Sequence, residues 1–211
     1  MIFSVIIAIA IGYLLGSIPF AYIAGRLIKG VDIRQVGGGN MGALNAVREI
    51  GLLPGLTVLI ADIGKGSLAV LIASWLDLSL IWIFIAGFAA VVGHNWPIFL
   101  RFKGGKGAAT TLGVLFALTP GEFAISLAII AIVIVITSNV RLAIVVGLAF
   151  LPLIIWQFDG SGMLIAYPIA LSLFLLIRSL PSTREAVANI GDKKRLIFDR
   201  EYHFWQTKKS K

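Results

Sequence analysis

Cysteine is absent from the 211 residues, histidine occurs only at His94 and His203, and 10 acidic side chains face 18 Lys and Arg. Without a thiol there is no disulfide framework, no thiolate nucleophile and no Cys-ligated metal, and two histidines are too few for a convincing metal site. Charge of either sign is scarce: 13% of residues are charged against 59% hydrophobic, and mean hydropathy is +0.99. So little polar surface excludes a soluble globule and marks a polytopic integral membrane protein. A net charge of +8 could serve nucleic acid, but the basic residues lie between and after apolar runs. That placement points to anionic membrane lipids and anionic solutes, with no nucleic-acid partner. The first apolar stretch passes through Gly16-Ser17-Ile18-Pro19 with no charged start or clear cleavage site, so it reads as a retained helix.

A hydrocarbon core of about 30 Å needs about 20 apolar residues in helix. The candidates are runs at about 3–24, 53–75, 78–94, 107–119, 121–138, 142–158 and 162–179. The fourth is short, rising only about 18 Å at helical pitch, and charge decides whether it counts. If all seven cross, Arg26, Lys29, Arg34, Arg48, Arg101, Lys103, Lys106, Arg141 and Arg178 share one side with the basic tail. Asp77, Glu122 and Asp159 then fall on the other side. Fusing the fourth and fifth runs would carry Arg141 and the tail outside, against the positive-inside rule. The expected fold is an all-α bundle of seven transmembrane helices over 1–180, N-terminus outside and C-terminus cytoplasmic. A basic cytoplasmic tail follows over 181–211, where Lys193, Lys194 and Arg195 mix with Leu196, Ile197 and Phe198, a pattern suited to an anionic membrane surface. Pro19 is expected to kink the first helix. The short fourth helix is expected to begin below the interface, its glycine loop dipping inward.

Two cytoplasmic loops, at 26–54 and 94–107, carry most of the chemistry. The second packs His94, Arg101, Lys103, Lys106 and Gly104, Gly105 and Gly107 between apolar runs. Glycines let a backbone approach a ligand and turn its N–H groups inward, and lysines add point charges suited to phosphate. The Walker A spacing is absent and the flanks are membrane helix, so this is not a P-loop. Helix packing and topology are the alternative uses of these residues. In the first loop, Gly37, Gly38, Gly39 and Gly42 free the backbone for an anion cradle. Asn40 and Asn45 there supply donors and acceptors, and Arg48 a bidentate fork. A plain Gly/Asn-rich turn is the competing reading.

Asp62 and Lys65 stand one turn apart deep in an apolar run, so they can pair and should face the bundle interior, as a structural ion pair or a wall of the site. His94 closes the third run, as a base or phosphate donor, or as a helix cap with a supporting role. Ser17 can bond an upstream carbonyl in the first helix.

With both loops in view, the chain resembles the bacterial acyl-phosphate:glycerol-3-phosphate acyltransferases. The matching residues are Gly16-Ser17, Gly37-x-Gly39-Asn40-x-Gly42-Ala43-x-Asn45 with Arg48, Asp62-x-x-Lys65-Gly66, Gly93-His94-x-x-Pro97, and Phe102-Lys103-Gly104-Gly105-Lys106-Gly107-x-Ala109-Thr110. The resemblance implies acyl transfer from acyl phosphate to glycerol 3-phosphate, giving lysophosphatidic acid, with no metal, cofactor or thioester carrier. It implies a bacterial inner-membrane protein whose site faces the cytoplasm. On this reading Arg48, Lys106, Asn40, Asn45 and His94 form the catalytic set. Substrate is bound by Gly37, Gly38, Gly39, Gly42, Ser17, Lys65, Lys103, Gly104, Gly105 and Gly107. Arg48 and Lys106 take the two phosphates, and either a substrate phosphate or His94 takes the hydroxyl proton. The chain departs from the family at Gly38 and Leu44, where Ser and Thr are usual, at Arg141 in place of Ser, and at Ser179 and Ser182 in place of His and Asn. A transporter for a phosphorylated solute, or a noncatalytic paralogue that binds lipid precursors, are the other classes compatible with the same residues.

Overall fold

The computed structural model describes residues 1–188, and its regular structure there is helical. The helices are α1 (Ile2–Ser17), α2 (Phe20–Lys29), α3 (Ala43–Glu49), α4 (Leu52–Trp75), α5 (Leu80–Asn95), α6 (Ala108–Leu118), α7 (Pro120–Thr137), α8 (Val140–Phe158) and α9 (Gly162–Ala188). Short 3-10 turns sit at Ile33–Gln35 and Ile98–Leu100. Six helical stretches are long and apolar enough to cross a membrane: Ile2–Lys29, Leu52–Trp75, Leu80–Leu100, Pro120–Thr137, Val140–Phe158 and Gly162–Pro181. The remaining expected run is α6, apolar but only 11 residues long.

Two boundaries differ from expectation. The kink at Pro19 is a full break: α1 stops at Ser17, Ile18 is extended at ψ 116°, and α2 restarts at Phe20. Proline lacks the N–H and disfavours helix in the residue before it. At the other end, α9 runs through Pro181 to Ala188, so the tail begins as a continuation of the last helix. The basic residues from Lys193 onward lie outside the described residues.

The chain divides into two compact units, Met1–Pro120 and Gly121–Lys211. In the first, small residues let backbones touch, as is usual where lipid supplies no hydrophobic drive between helices. Gly16 of α1 lies against the Ala90 carbonyl of α5, and Gly93 of α5 against the Tyr13 carbonyl, so a Cβ at either would overlap backbone. Going down α1 from Gly12 to Gly16, the neighbour on α5 moves from Ala86 to Ala90, and the two helices therefore run parallel. α4 runs the opposite way, with Ala69 near Gly12 and Lys65 near Ile18. α6 packs on α4 with Gly66 against Thr110 and Gly113 against Ile63, while Ser67 Oγ donates to the Gly113 carbonyl at 2.8 Å. The lipid-facing side is apolar: Leu53 is 77% and Ile60 70% exposed, whereas Asp62, two residues beyond Ile60, is buried.

In the second unit, Ser126 of α7 donates to the Gly147 carbonyl of α8 at 2.9 Å, and Gly147 makes room for Ile130. Asn139 caps α8 by accepting from Leu142 N–H at 3.1 Å, and Arg141 is exposed in its first turn.

Candidate active site

The first loop is a preformed turn held by side chains. Gly30 ends α2 in the left-handed region, and Asp32 then caps the 3-10 turn by accepting from Arg34 N–H. The Arg34 guanidinium also grips Asp32 through both carboxylate oxygens, at 3.0 and 2.7 Å. Those bonds hold the Asp32 carboxyl below the usual carboxylate range, against the opposing effect of its burial. Asn45, in the first turn of α3, donates to the carbonyls of Ile33, Val36 and Asn40 and accepts from Gly38 N–H at 2.8 Å. Asn40 accepts from Gly42 N–H at 2.9 Å and donates to the Gly38 carbonyl at 3.2 Å. Gly37 and Gly39 turn the chain at φ +56° and +64°, conformations that favour glycine. The rim left exposed consists of Gly37, Gly38, Gly39 and Arg48.

The second loop is shaped by backbone and packing. Phe102 N–H closes on the Pro97 carbonyl at 3.0 Å, with Arg101 and Phe102 both left-handed at φ +52° and +61°. Consecutive non-glycine residues there are strained by about 1 to 2 kcal/mol each. Gly105 N–H then donates to the His94 carbonyl at 3.0 Å, and Gly107, at φ +85°, leads into α6. Gly104 fits only because it lacks a Cβ, which would overlap the carbonyls of His94 and Asn95. At Gly105 a Cβ would overlap the His94 ring. Arg101 and Lys103 are exposed, Lys106 is half-buried, and Gly105 and Gly107 are buried.

The two loops meet. Leu100 of the second packs against a cluster that contains Ile33, Met41 and Ala46 of the first loop and α3, with Ala21 of α2 and Val58 of α4. Close to them lies a buried charged group: Lys65 Nζ is 2.7 Å and His94 Nδ1 3.5 Å from Asp62 Oδ1, with the three side chains 2–5% exposed. Lys65 also donates to the Ile18 carbonyl at 3.1 Å, an acceptor that the α1–α2 break exposes, and lies 5.8 Å from the Phe20 ring. On the lipid-facing flank, Phe20, Ala24 and Leu27 of α2 face Leu53, Val58 and Ala61 of α4 across an apolar groove of about 450 Å³.

Three expected roles change with this geometry. Ser17 is fully buried and its hydroxyl turns back to the Tyr13 carbonyl at 2.8 Å, so it offers nothing to a substrate. Asn45 gives its amide to the loop backbone and so braces the cradle. His94 is no helix cap: Trp96 N–H closes α5 on Val92 while the imidazole turns inward to Asp62. Asn95 and Thr111 carried no assignment in the sequence, and Thr110 only its place at the end of the second glycine motif. They are buried beside this group with side-chain polar atoms that lack hydrogen-bond partners, a pattern found where a site is completed by a ligand or water. Beyond that motif, their one sequence signal was their position at the ends of two apolar runs.

A family model described as glycerol-3-phosphate acyltransferase matches residues 6–189. The chain belongs to the glycerol-3-phosphate acyltransferase family. A member named glycerol-3-phosphate acyltransferase 1, from Dehalococcoides mccartyi, is 39% identical over 198 residues, covering 91% of this chain and 95% of that one. Another, from Endomicrobium trichonymphae, is 40% identical over 192 residues, covering 91% and 96%. The crystal structure of PlsY (YgiH), described as an integral membrane glycerol 3-phosphate acyltransferase in its glycerol 3-phosphate form, matches with a TM-score of 0.79 and 33% identity. It covers 88% of this chain and 92% of its own. A second form of that enzyme, with lysophosphatidic acid, gives a TM-score of 0.77.

Proposed function

We propose that this protein esterifies glycerol 3-phosphate with a fatty acyl group from acyl phosphate, forming lysophosphatidic acid and inorganic phosphate in the bacterial inner membrane. The observation that carries the reading is the meeting of two cation-bearing glycine loops, joined through Leu100, beside an apolar groove. An acyl phosphate is already activated, so no protein nucleophile is needed. The acceptor hydroxyl oxygen bonds to the acyl carbonyl carbon, the bond from that carbon to the phosphate oxygen breaks, and the hydroxyl proton leaves with phosphate. The protein's share is positioning, which can contribute about 7 to 11 kcal/mol, and donors aimed at the developing charge.

In this scheme Arg48 and Lys106 hold the two phosphates, with Lys103 adding positive potential at the mouth. The N–H groups of Gly37 to Gly39 and of the Gly104 to Gly107 turn face the anionic oxygens, and Asn40 and Asn45 keep the first loop in register. The acyl chain lies in the groove between α2 and α4, entered from the cytoplasmic leaflet. The burial of the His94 ring, with its Nδ1 facing Asp62, favours substrate phosphate over the imidazole as proton acceptor. All seven runs cross, with the N-terminus outside and the site facing the cytoplasm. The parallel course of α1 and α5, the opposite course of α4, and the rise of the chain from Gly105 beside His94 to Gly113 beside Ser67 support this, together with the placement of basic residues.

Purified protein in detergent, given labelled glycerol 3-phosphate and palmitoyl phosphate, should form lysophosphatidate. Lys106→Ala should lower the rate by about 10²-fold or more, the usual loss for one well-aimed donor. Binding or counterflow without product would overturn the reading in favour of a transporter or a noncatalytic binder.

A further inference from the structure

Asp62 takes no part in the reaction set out above, yet it joins the supports of both loops. Its carboxylate holds Lys65 Nζ at 2.7 Å and faces His94 Nδ1 at 3.5 Å. Lys65 ties to the Ile18 carbonyl, where α1 gives way to α2, and α2 in turn carries Ala21 into the cluster on which the first loop sits. His94 lies under the second loop twice over, through its carbonyl to Gly105 N–H and through its ring, which fills the space a Cβ at position 105 would need. Ionisable groups at membrane depth are costly, and a well-packed apolar trio often replaces a buried ion pair without loss of stability. What an apolar trio could not supply is a carboxylate facing an imidazole and a donor for the carbonyl at a broken helix.

We propose that Asp62 is a positioning residue for acyl transfer, orienting His94 as the prop beneath the Gly104–Gly105 turn and Lys65 as the tie to the α1–α2 break. Through these two arms it sets the spacing between the two glycine loops, and hence between the two phosphates they hold. His94 acts in the same way, as a prop for the loop backbone.

This inference rests on the acyltransferase reading, so the unmodified protein is assayed first. An inactive unmodified protein overturns that reading, whereas an active one leaves Asp62 to be judged by its variants. Asp62→Asn, His94→Gln and the double variant are compared by KM for each substrate, kcat, pH-rate profile and thermal midpoint. Misplacement of one loop should raise the KM of at least one phosphorylated substrate by about tenfold to a hundredfold with the profile shape nearly unchanged, measured well below the thermal midpoint of each variant, since Asp62→Asn leaves the buried Lys65 charge without its partner and lowers that midpoint. The double variant should be no worse than the poorer single one, because both residues act along one path. Losses that multiply in the double variant, or that appear in kcat with a lost limb of the pH profile, would overturn it. A second pair avoids Asp62 altogether: Gly105→Ala should impair the enzyme, and adding His94→Ala should restore part of the loss by vacating the space the new methyl needs. No restoration would refute the role of the ring as a prop.

Discussion

The two glycine loops solve one problem by different means. In the first, polar side chains hold the backbone: Asn45 gathers three carbonyls and one N–H, Asn40 closes the Gly42 turn, and Arg34 clamps Asp32. In the second, sterics and buried charge do it, with Gly104 and Gly105 pressed on His94 and His94 facing Asp62. The first loop emerges toward water, where amide and carboxylate networks form at little desolvation cost. The second returns into the bundle, where the absence of a side chain is the cheaper way to bring two backbones together.

The sharpest break of this contrast is Gly105→Val. Its branched side chain should displace the His94 ring and lower kcat/KM by about 10²-fold or more, measured with both substrates near saturation and below it. Full activity would mean that packing does not hold the second loop. Asn45→Ala should come next. It leaves the buried Ile33 carbonyl without its Asn45 donor and frees the exposed Gly38 N–H to water, for a loss of about 1 to 2 kcal/mol read as a lower thermal midpoint and a weaker affinity for substrate phosphate.

The Asp32–Arg34 clamp adds a pH dependence to the first loop. The folded carboxyl titrates below its ordinary value of 3.8, so its contribution is complete above about pH 4 and is lost as pH falls through the lower folded value. Thermal midpoints of the unmodified protein and of Asp32→Asn should converge as pH is lowered below 4. Parallel curves would show that the clamp adds nothing. The smallest effect is expected for Gly38→Ser. Position 38 has ordinary backbone angles, and an added Cβ meets only the flexible Asn40 amide at 3.1 Å and Asn45 at 3.5 Å. Activity should stay within about threefold, the range of most surface substitutions.

Much of the molecule could be read before any coordinates. The middle apolar runs matched the helices to within a few residues, because the bilayer sets both length and composition, whereas the first is broken at Pro19 and continues to Lys29 and the last continues to Ala188. The i, i+3 spacing of Asp62 and Lys65 announced their pair, and the glycine clusters announced both loops. What stayed hidden was every relation between distant segments. Spacing along the chain says nothing about whether His94 meets Asp62, whether Leu100 reaches Met41, or whether Ser17 faces a ligand or its own helix. Pro19 illustrates the boundary: the residue told of disruption, but only packing turned a kink into a break at which the Ile18 carbonyl receives Lys65 beside Phe20 N–H.

The sequence by itself therefore determined the membrane class, the helical runs and the kind of chemistry the loops can do, since these follow from composition and local stereochemistry. The tertiary structure alone decided which loop residues face outward, which serve as braces, and how one buried carboxylate comes to touch the supports of both loops. Those outcomes depend on close helix approach at glycine and alanine, a property of pairs of surfaces that no single stretch of chain contains.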